Sequence, residues 1–343
     1  LRAQHIEVHR LTADLVIGGT GGKTWPAGST VVRMDQPYRN AAMNFLEEQK
    51  FPADEPNTPY DDVAWTWPLL YGVTGEAVSD QKVLAAAMEP VTSEASPQGR
   101  VDGAGDLFLL RDSGQNALLQ ARLLLGSNQV DAAEAAFQAD GATYPPGSWI
   151  VQAPREAVDA VATQLGLSFH ATAALPGVRR HVVDLPRLAL LHNWIDTQDA
   201  GWARYTLDQQ KLSYTLINDD DLKRGGLESR FDVILFPNSR GDFTGLVHGI
   251  DPKYGPLAYT RTDGAPSHGI PDASEDITGG MGFEGLMNLA RFVRGGGVLV
   301  ALGNAGTLPV GGGLVRGVER ASGGFNTPGS ELRAKVLRPE HPI

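Results

Sequence analysis

From residue 187 onward the chain alternates two kinds of segment so regularly that its fold class follows. Residues 187–192 (RLALLH), 231–236 (FDVILF) and 298–302 (VLVAL) are short, nearly continuous apolar runs. Strands buried on both faces, as in parallel sheets, read this way. A further strand is expected at 213–217. Between the strands lie segments of helical character: 199–210, the short acid-opened 219–226, and the amphipathic 282–294. Acidic residues in a first turn suit the positive end of a helix. Strands alternating with helices predict βαβ units, and hence a doubly wound parallel-sheet domain over residues 187–343.

Residues 1–176 predict a different α/β region, built on an internal repeat. Trp25-Pro26-Ala27-Gly28-Ser29-Thr30-Val31-Val32 matches Tyr144-Pro145-Pro146-Gly147-Ser148-Trp149-Ile150-Val151 at an offset of 119 residues. Each is an aromatic-Pro turn, then Gly-Ser, then an apolar strand, and a proline (Pro37, Pro154) and a helical pattern follow (38–49 and 155–165). The second copy reads as the fuller one: strand 106–111, helix 116–125, a strand near 130–137, the turn, strand 148–152 and its helix. The first reads as truncated, with residues 1–5 the tail of a helix running into a strand at 6–11. Both ends of the chain read as cut. Between the copies, the aromatic stretch 60–73 carries Trp65, Trp67 and Tyr71. It fits a short buried helix, or the lining of a carbohydrate or peptide groove. Residues 174–186 are expected to be a linker.

Composition narrows the partners. A length of 343 residues suggests two domains, and 42 % hydrophobic residues suffice for real cores. The net charge of -11, with only Arg179-Arg180 and Lys223-Arg224 as adjacent basic pairs, excludes a phosphate-binding patch for nucleic acid or anionic membrane. No apolar run reaches the roughly 18 residues that span a bilayer. The absence of cysteine excludes disulfides, thiolate nucleophiles and cysteine-held zinc.

The stretch 190–207, with Asn193-Trp194 and Gly201-Trp202, followed by FDVILFP and FVRGGGVLVALG, resembles the glutamine-amidotransferase-like domain at the C-terminal end of large bacterial zinc-carboxypeptidase proteins. The stretches YPPGSWIV, VVRMDQPYRNAAMNFLEEQ and PYDDVAWTWPLLYGV are similar to the segment that precedes it in those proteins. The resemblance implies a class I amidotransferase-like, flavodoxin-like fold and a secreted or periplasmic setting. It also implies an N-terminal peptidase domain of the same protein as partner, with peptide or glycan as a further ligand. That family's zinc needs His-x-x-Glu and a distant His, and no histidine here has Glu three residues on. Zinc is thus expected only in the peptidase domain, none in this chain. The glutaminase nucleophile fails too. The turn after 298–302, where such enzymes carry cysteine, reads Gly303-Asn304-Ala305-Gly306, and an amide forms no thioester. The expectation is a non-catalytic accessory region that supports the peptidase domain or binds its substrate; the alternative is a hydrolase acting through the doubly wound cleft or a loop-bound metal.

Ligands of open α/β sheets bind beyond the carboxyl ends of the strands. That edge should gather Asn193 and Trp194 behind His192, then Asn238, Ser239 and Arg240, then Asn304. The same cleft can equally be filled by the domain's own side chains. The segment 241–280 lacks clear periodicity and holds His248 with Asp251 and His268 with Asp272, an imidazole and a carboxylate twice over, as a divalent metal would need. A polar loop with two unrelated histidines is the plainer reading. Ser239 only faintly resembles a nucleophile elbow, since it lacks the preceding Gly and a following helix. Residues 18–24 (GGTGGKT) have the wrong spacing for a phosphate loop and read as a flexible turn. Asp219-Asp220-Asp221 reads as a helix N-cap.

Overall fold

The computed structural model describes residues 1–18, 22–48, 54, 66–93, 98–319, 335 and 337. The chain divides into two compact units, residues 1–95 with 322–343, and residues 96–321. Among the described residues no helix is long and apolar enough to cross a membrane.

The first unit contains strands β1 (His9–Leu11), β2 (Leu15–Ile17), β3 (Lys23–Trp25) and β4 (Thr30–Val31), helices α1 (Arg39–Leu46) and α2 (Trp67–Leu70), and strand β5 (Met88–Pro90). β1 lies between β4 and β5, antiparallel to both, and β2 pairs with β3 as a hairpin. The hairpin brackets the glycine-rich turn, of which Gly19, Thr20 and Gly21 lie outside the described residues. In the aromatic stretch, Trp65 also lies outside them. Trp67 stacks on Phe45 at 4.1 Å, and Tyr71 meets Trp67 edge-on while remaining exposed.

The second unit opens with β6 (Arg100–Gly103), β7 (Leu107–Leu110), α3 (Ala117–Leu124), β8 (Gln129–Ala133), β9 (Phe137–Ala139), β10 (Ala142–Tyr144), β11 (Trp149–Gln152), α4 (Arg155–Leu165), β12 (Ser168–Thr172) and β13 (Arg180–Val182). Six of these strands form one sheet in the order β13-β8-β11-β7-β12-β6, antiparallel throughout except for β12 against β6. Strand alternation sends Phe108, Leu110, Val151 and Phe169 to one face, where they join Ala121, Val158 and Val161 of the helices in a single core. Two expectations are corrected. The supposed linker 174–186 contains β13, and the strand near 130–137 is two strands separated by a turn.

The two turns matched in sequence are matched in geometry. Gly28 and Gly147 both have φ +88°, a left-handed value that glycine adopts at no steric cost. Gly28 N–H donates to Leu11 O and Gly147 N–H to Ala133 O, each at 2.8 Å. Leu11 and Ala133 donate in turn to Ser29 O and Ser148 O, each at 2.9 Å. The equivalence runs beyond the matching sequence. β8 lies between β11 and β13 as β1 lies between β4 and β5, with the same register: Arg10 opposes Thr30 and Glu89, and Ala132 opposes Trp149 and His181.

The parallel sheet follows, with β14 (Leu188–Leu191), α5 (Gln198–Gln209), β15 (Tyr214–Ile217), α6 (Asp219–Arg224), α7 (Leu227–Arg230), β16 (Val233–Phe236), α8 (Phe243–His248), α9 (Gly282–Arg294), β17 (Val298–Ala301) and α10 (Thr307–Gly311). Its strand order is β15-β14-β16-β17, every pair parallel. Ala189, Leu191, Ile234 and Phe236 face Leu222, Leu246, Leu289 and Phe292 in one core. Each fully buried Leu or Phe there stabilises by about 1.5–3 kcal/mol. The alternate residue Leu190 is also fully buried but lies outside that core, on the face where Ala200 and Leu207 of α5 are buried. The chain begins this sheet at β14, steps outward to β15, then crosses back to β16. This reversal of strand order falls between β14 and β16, the point at which open α/β sheets take their ligands. The segment 241–280, expected to lack regular structure, contributes α8 and a 3-10 turn at Pro252–Tyr254.

Candidate functional site

Polar residues stand just beyond the carboxyl end of each parallel strand. β14 is followed by His192, Asn193 and Trp194, β15 by Asn218 and Asp219, β16 by Asn238, Ser239 and Arg240, and β17 by Gly303 and Asn304. His192, Asn193, Asn218, Asp219 and Ser239 are all at most 5 % exposed. Groups so buried must find partners within the protein, and most do.

The partner that organises the edge comes from the long segment between α8 and α9. Asp272 Oδ2 lies 2.9 Å from His192 Nε2 and accepts from Asn218 Nδ2 at 2.8 Å. Asp272 Oδ1 accepts from Ala273 N–H at 2.9 Å. Burial works against ionisation of Asp272, but the hydrogen bonds from His192 and Asn218 outweigh it and hold the carboxyl below its ordinary range. Two residues on, Ser274 Oγ donates to Asp220 Oδ2 at 2.6 Å. Tyr259 of the same segment packs on Trp194 at 5.3 Å and stacks on His268 at 4.6 Å, and Trp194 meets His192 edge-on. The segment is tied to itself by Tyr259 N–H to Ser274 O and Ile277 N–H to Leu257 O. It forms a strap across the ends of β14 and β15.

Asn193 and Ser239 close the β14–β16 side. Asn193 Nδ2 donates to Ser239 Oγ at 2.9 Å, and Ser239 Oγ donates back to Asn193 Oδ1 at 3.2 Å. The Ser239 hydroxyl thus faces an amide and not an imidazole base. α8 does follow this turn, contrary to expectation, with Asp242 as its N-cap. Arg240 is mostly exposed, while its N–H donates to Asp196 Oδ2 at 3.0 Å. Asn238 clamps the last turn: its Nδ2 donates to Asp199 and its Oδ1 accepts from Asn304 N–H at 2.8 Å. Gly303 has φ +55°, and a Cβ there would stand 2.4 Å from Asn238 Oδ1. Gly303→Ala is therefore expected to lower stability by at least the roughly 1–2 kcal/mol of a left-handed residue. A thermal melt equal to that of the parent would contradict this close approach.

Asp219 stands apart. It is 3 % exposed, and its Oδ1 has no hydrogen-bond partner. Burial raises its pKa to about 7, against the opposing attraction of Lys223 and His192. Trp194 Nε1 is likewise buried and unpartnered. Sequence reasoning assigned Asp219 to an N-cap. The cap is Asn218, which forms a capping box with Asp221, and Asp219 is freed to point inward. The tightly capped acidic run after a buried strand was the only available signal.

The four residues considered for a metal do not converge. Asp272 is drawn into the sheet edge, His268 lies on Tyr259, His248 faces Phe283 at the end of α8, and Asp251 pairs with Lys253. Among the described residues no group of three or more His, Asp or Glu is placed to hold a metal ion. Compared with known proteins, the chain matches no family model, no curated protein and no solved structure.

Proposed function

We propose that this chain is a non-catalytic accessory region, of glutamine-amidotransferase-like type in its parallel-sheet part, belonging to a secreted or periplasmic zinc-carboxypeptidase-like protein. Its work is to support the peptidase domain or to hold a peptide or glycan substrate. One observation carries the reading: the carboxylate of Asp272, from the chain's own strap, sits between His192 and Asn218 at the carboxyl ends of β14 and β15, on the edge where an open α/β sheet takes its ligands. Asn304 at the nucleophile turn and the Asn193-bound Ser239 agree with it, since neither is an activated nucleophile.

A second reading is favoured by Asp219. A buried carboxyl with a pKa of about 7 and an unpartnered oxygen is tuned as a general acid or base is tuned, and a hydrolase acting through the cleft would use it. The two readings separate on turnover. The purified chain, with and without added zinc, is expected to leave C-terminal peptide and simple amide substrates unhydrolysed. Enzyme-like turnover that disappears in Asp219→Asn would replace the accessory reading with the second one.

A further inference from the structure

We propose that the antiparallel sheet, on the face turned away from α3 and α4, binds a small organic carboxylate with an apolar stem, anchored by Arg111 beside Tyr144, Ser168 and His170. The proposal goes beyond the accessory reading and does not depend on the strap.

Strand register builds the floor. Leu109 stands opposite His170, and His170 opposite Asp102. Their neighbours Phe108, Leu110 and Phe169 belong to the core under the helices. Alternation therefore turns Leu109, Ser168 and His170 to the other face, and Arg111 follows β7 on the same side. The hairpin β9–β10 covers part of that face, where Tyr144 stacks on Phe137 at 4.9 Å and packs with Leu109 and Ile150. The hairpin turns at Asp140-Gly141, both left-handed (φ +47° and +80°), as a two-residue turn between twisted strands requires. From this tip Asp140 Oδ2 lies 2.9 Å from His170 Nε2, and the side chains of Thr172 and His170 hold the carboxyl below its ordinary range. The hairpin is thus pinned to β12. Beside β10 lies a cavity of about 470 Å³ whose lining includes Leu109, Arg111, Thr143, Tyr144, Ser168 and His170, a size typical of small-molecule sites.

The lining selects the ligand. Leu109 is fully buried and Tyr144 is 5 % exposed, so the inner part of the cavity suits hydrocarbon. The carboxylates beside it are engaged, Asp102 with Arg100 at 2.7 Å and Asp140 with His170. Arg111 is the remaining charge, and among the described residues its guanidinium has no hydrogen-bond or ion-pair partner. Thr143 Oγ1 accepts from Gln138 Nε2 at 2.8 Å, which leaves its proton to donate, and Ser168 adds a second hydroxyl. One unpaired cation with hydroxyl donors matches a single negative charge, and the planar guanidinium fork matches a carboxylate.

The probe is hydrocinnamate, with hydrocinnamamide as its uncharged counterpart, titrated into the full chain and followed by backbone amide NMR shifts. Hydrocinnamate is expected to move the Leu109, Thr143, Tyr144, Ser168 and His170 amides saturably. The uncharged amide is expected to bind about tenfold more weakly or worse, as is hydrocinnamate to Arg111→Gln. Arg111 is exposed, so Arg111→Gln should melt with the parent, and its loss of binding is then not a loss of fold. The proposal is overturned if no saturable shift appears at these residues, if the uncharged amide binds as well as the carboxylate, or if Arg111→Gln binds as the parent does.

Discussion

Replacing Asp272 with Ala is expected to destabilise the second unit by roughly 2–5 kcal/mol, the cost of leaving two buried polar groups unpaired. Those groups are His192 and Asn218, at most 5 % exposed. With Asp272 gone, neither has another partner at that position, and the strap loses its innermost tie. Asp272→Asn should fall between, since its amide oxygen still accepts one of the two bonds. Urea unfolding of the three proteins at neutral pH measures the series. The parent should also show an acid limb of defined sign. The folded-state pKa of Asp272 is depressed, so the stability it supplies is present above its ordinary pKa near 3.8 and is lost as pH falls through the folded value. Neither substitution should retain that limb. An Asp272→Ala protein as stable as the parent would mean the strap is not held at the sheet edge by this carboxylate.

Asp219→Asn should act in the opposite direction. The carboxyl's pKa rises from 3.8 to about 7 on folding. Between those values the folded state binds a proton that the unfolded state lacks, so stability declines as pH rises from about 4 to about 7 and is fully reduced above that. Such a displacement is worth at most roughly 4 kcal/mol. The amide cannot ionise and removes the slope. The variant is expected to melt close to the parent near pH 4 and above it at pH 8, by roughly 2–4 kcal/mol of added stability. Thermal melts at the two pH values measure the difference directly. Equal melting at pH 8 would show that Asp219 is not charged at a cost in the folded protein.

The two substitutions mark the limit of what the sequence alone conveys. The parallel sheet was legible because its strands are buried on both faces and thus continuously apolar, and α4 and α9 were bounded correctly by their patterning. The turn at Gly28 and Gly147 was legible because a left-handed backbone restricts the residue. The outer strands of the duplicated module were not: β1 and most of β8 lie within the strands expected at 6–11 and near 130–137, but β5 reads MEP and its counterpart β13 reads RHV, and backbone pairing leaves no imprint on such short, half-exposed strands. At the candidate site, strand ends were predictable from topology, which named Asn193, Trp194, Asn238, Ser239, Arg240 and Asn304. The pairing of Asp272 with His192 spans 80 residues. Nothing local distinguishes it from the nearer His268, which geometry gives to Tyr259 instead. Burial of Asp219 depends on which of four consecutive polar residues takes the cap, a choice made by the packing of α6.

Native-state hydrogen exchange tests most directly whether the chain's own strap is held across the carboxyl ends of β14 and β15. A closed strap predicts slow exchange of the Tyr259, Ile277 and Gly279 amides, which donate to Ser274, Leu257 and Ile250. It also predicts faster exchange of all three in Asp272→Ala. Exchange in the unmodified protein at the rate of an unstructured peptide would mean that the strap stands open and the ends of β14 and β15 are uncovered.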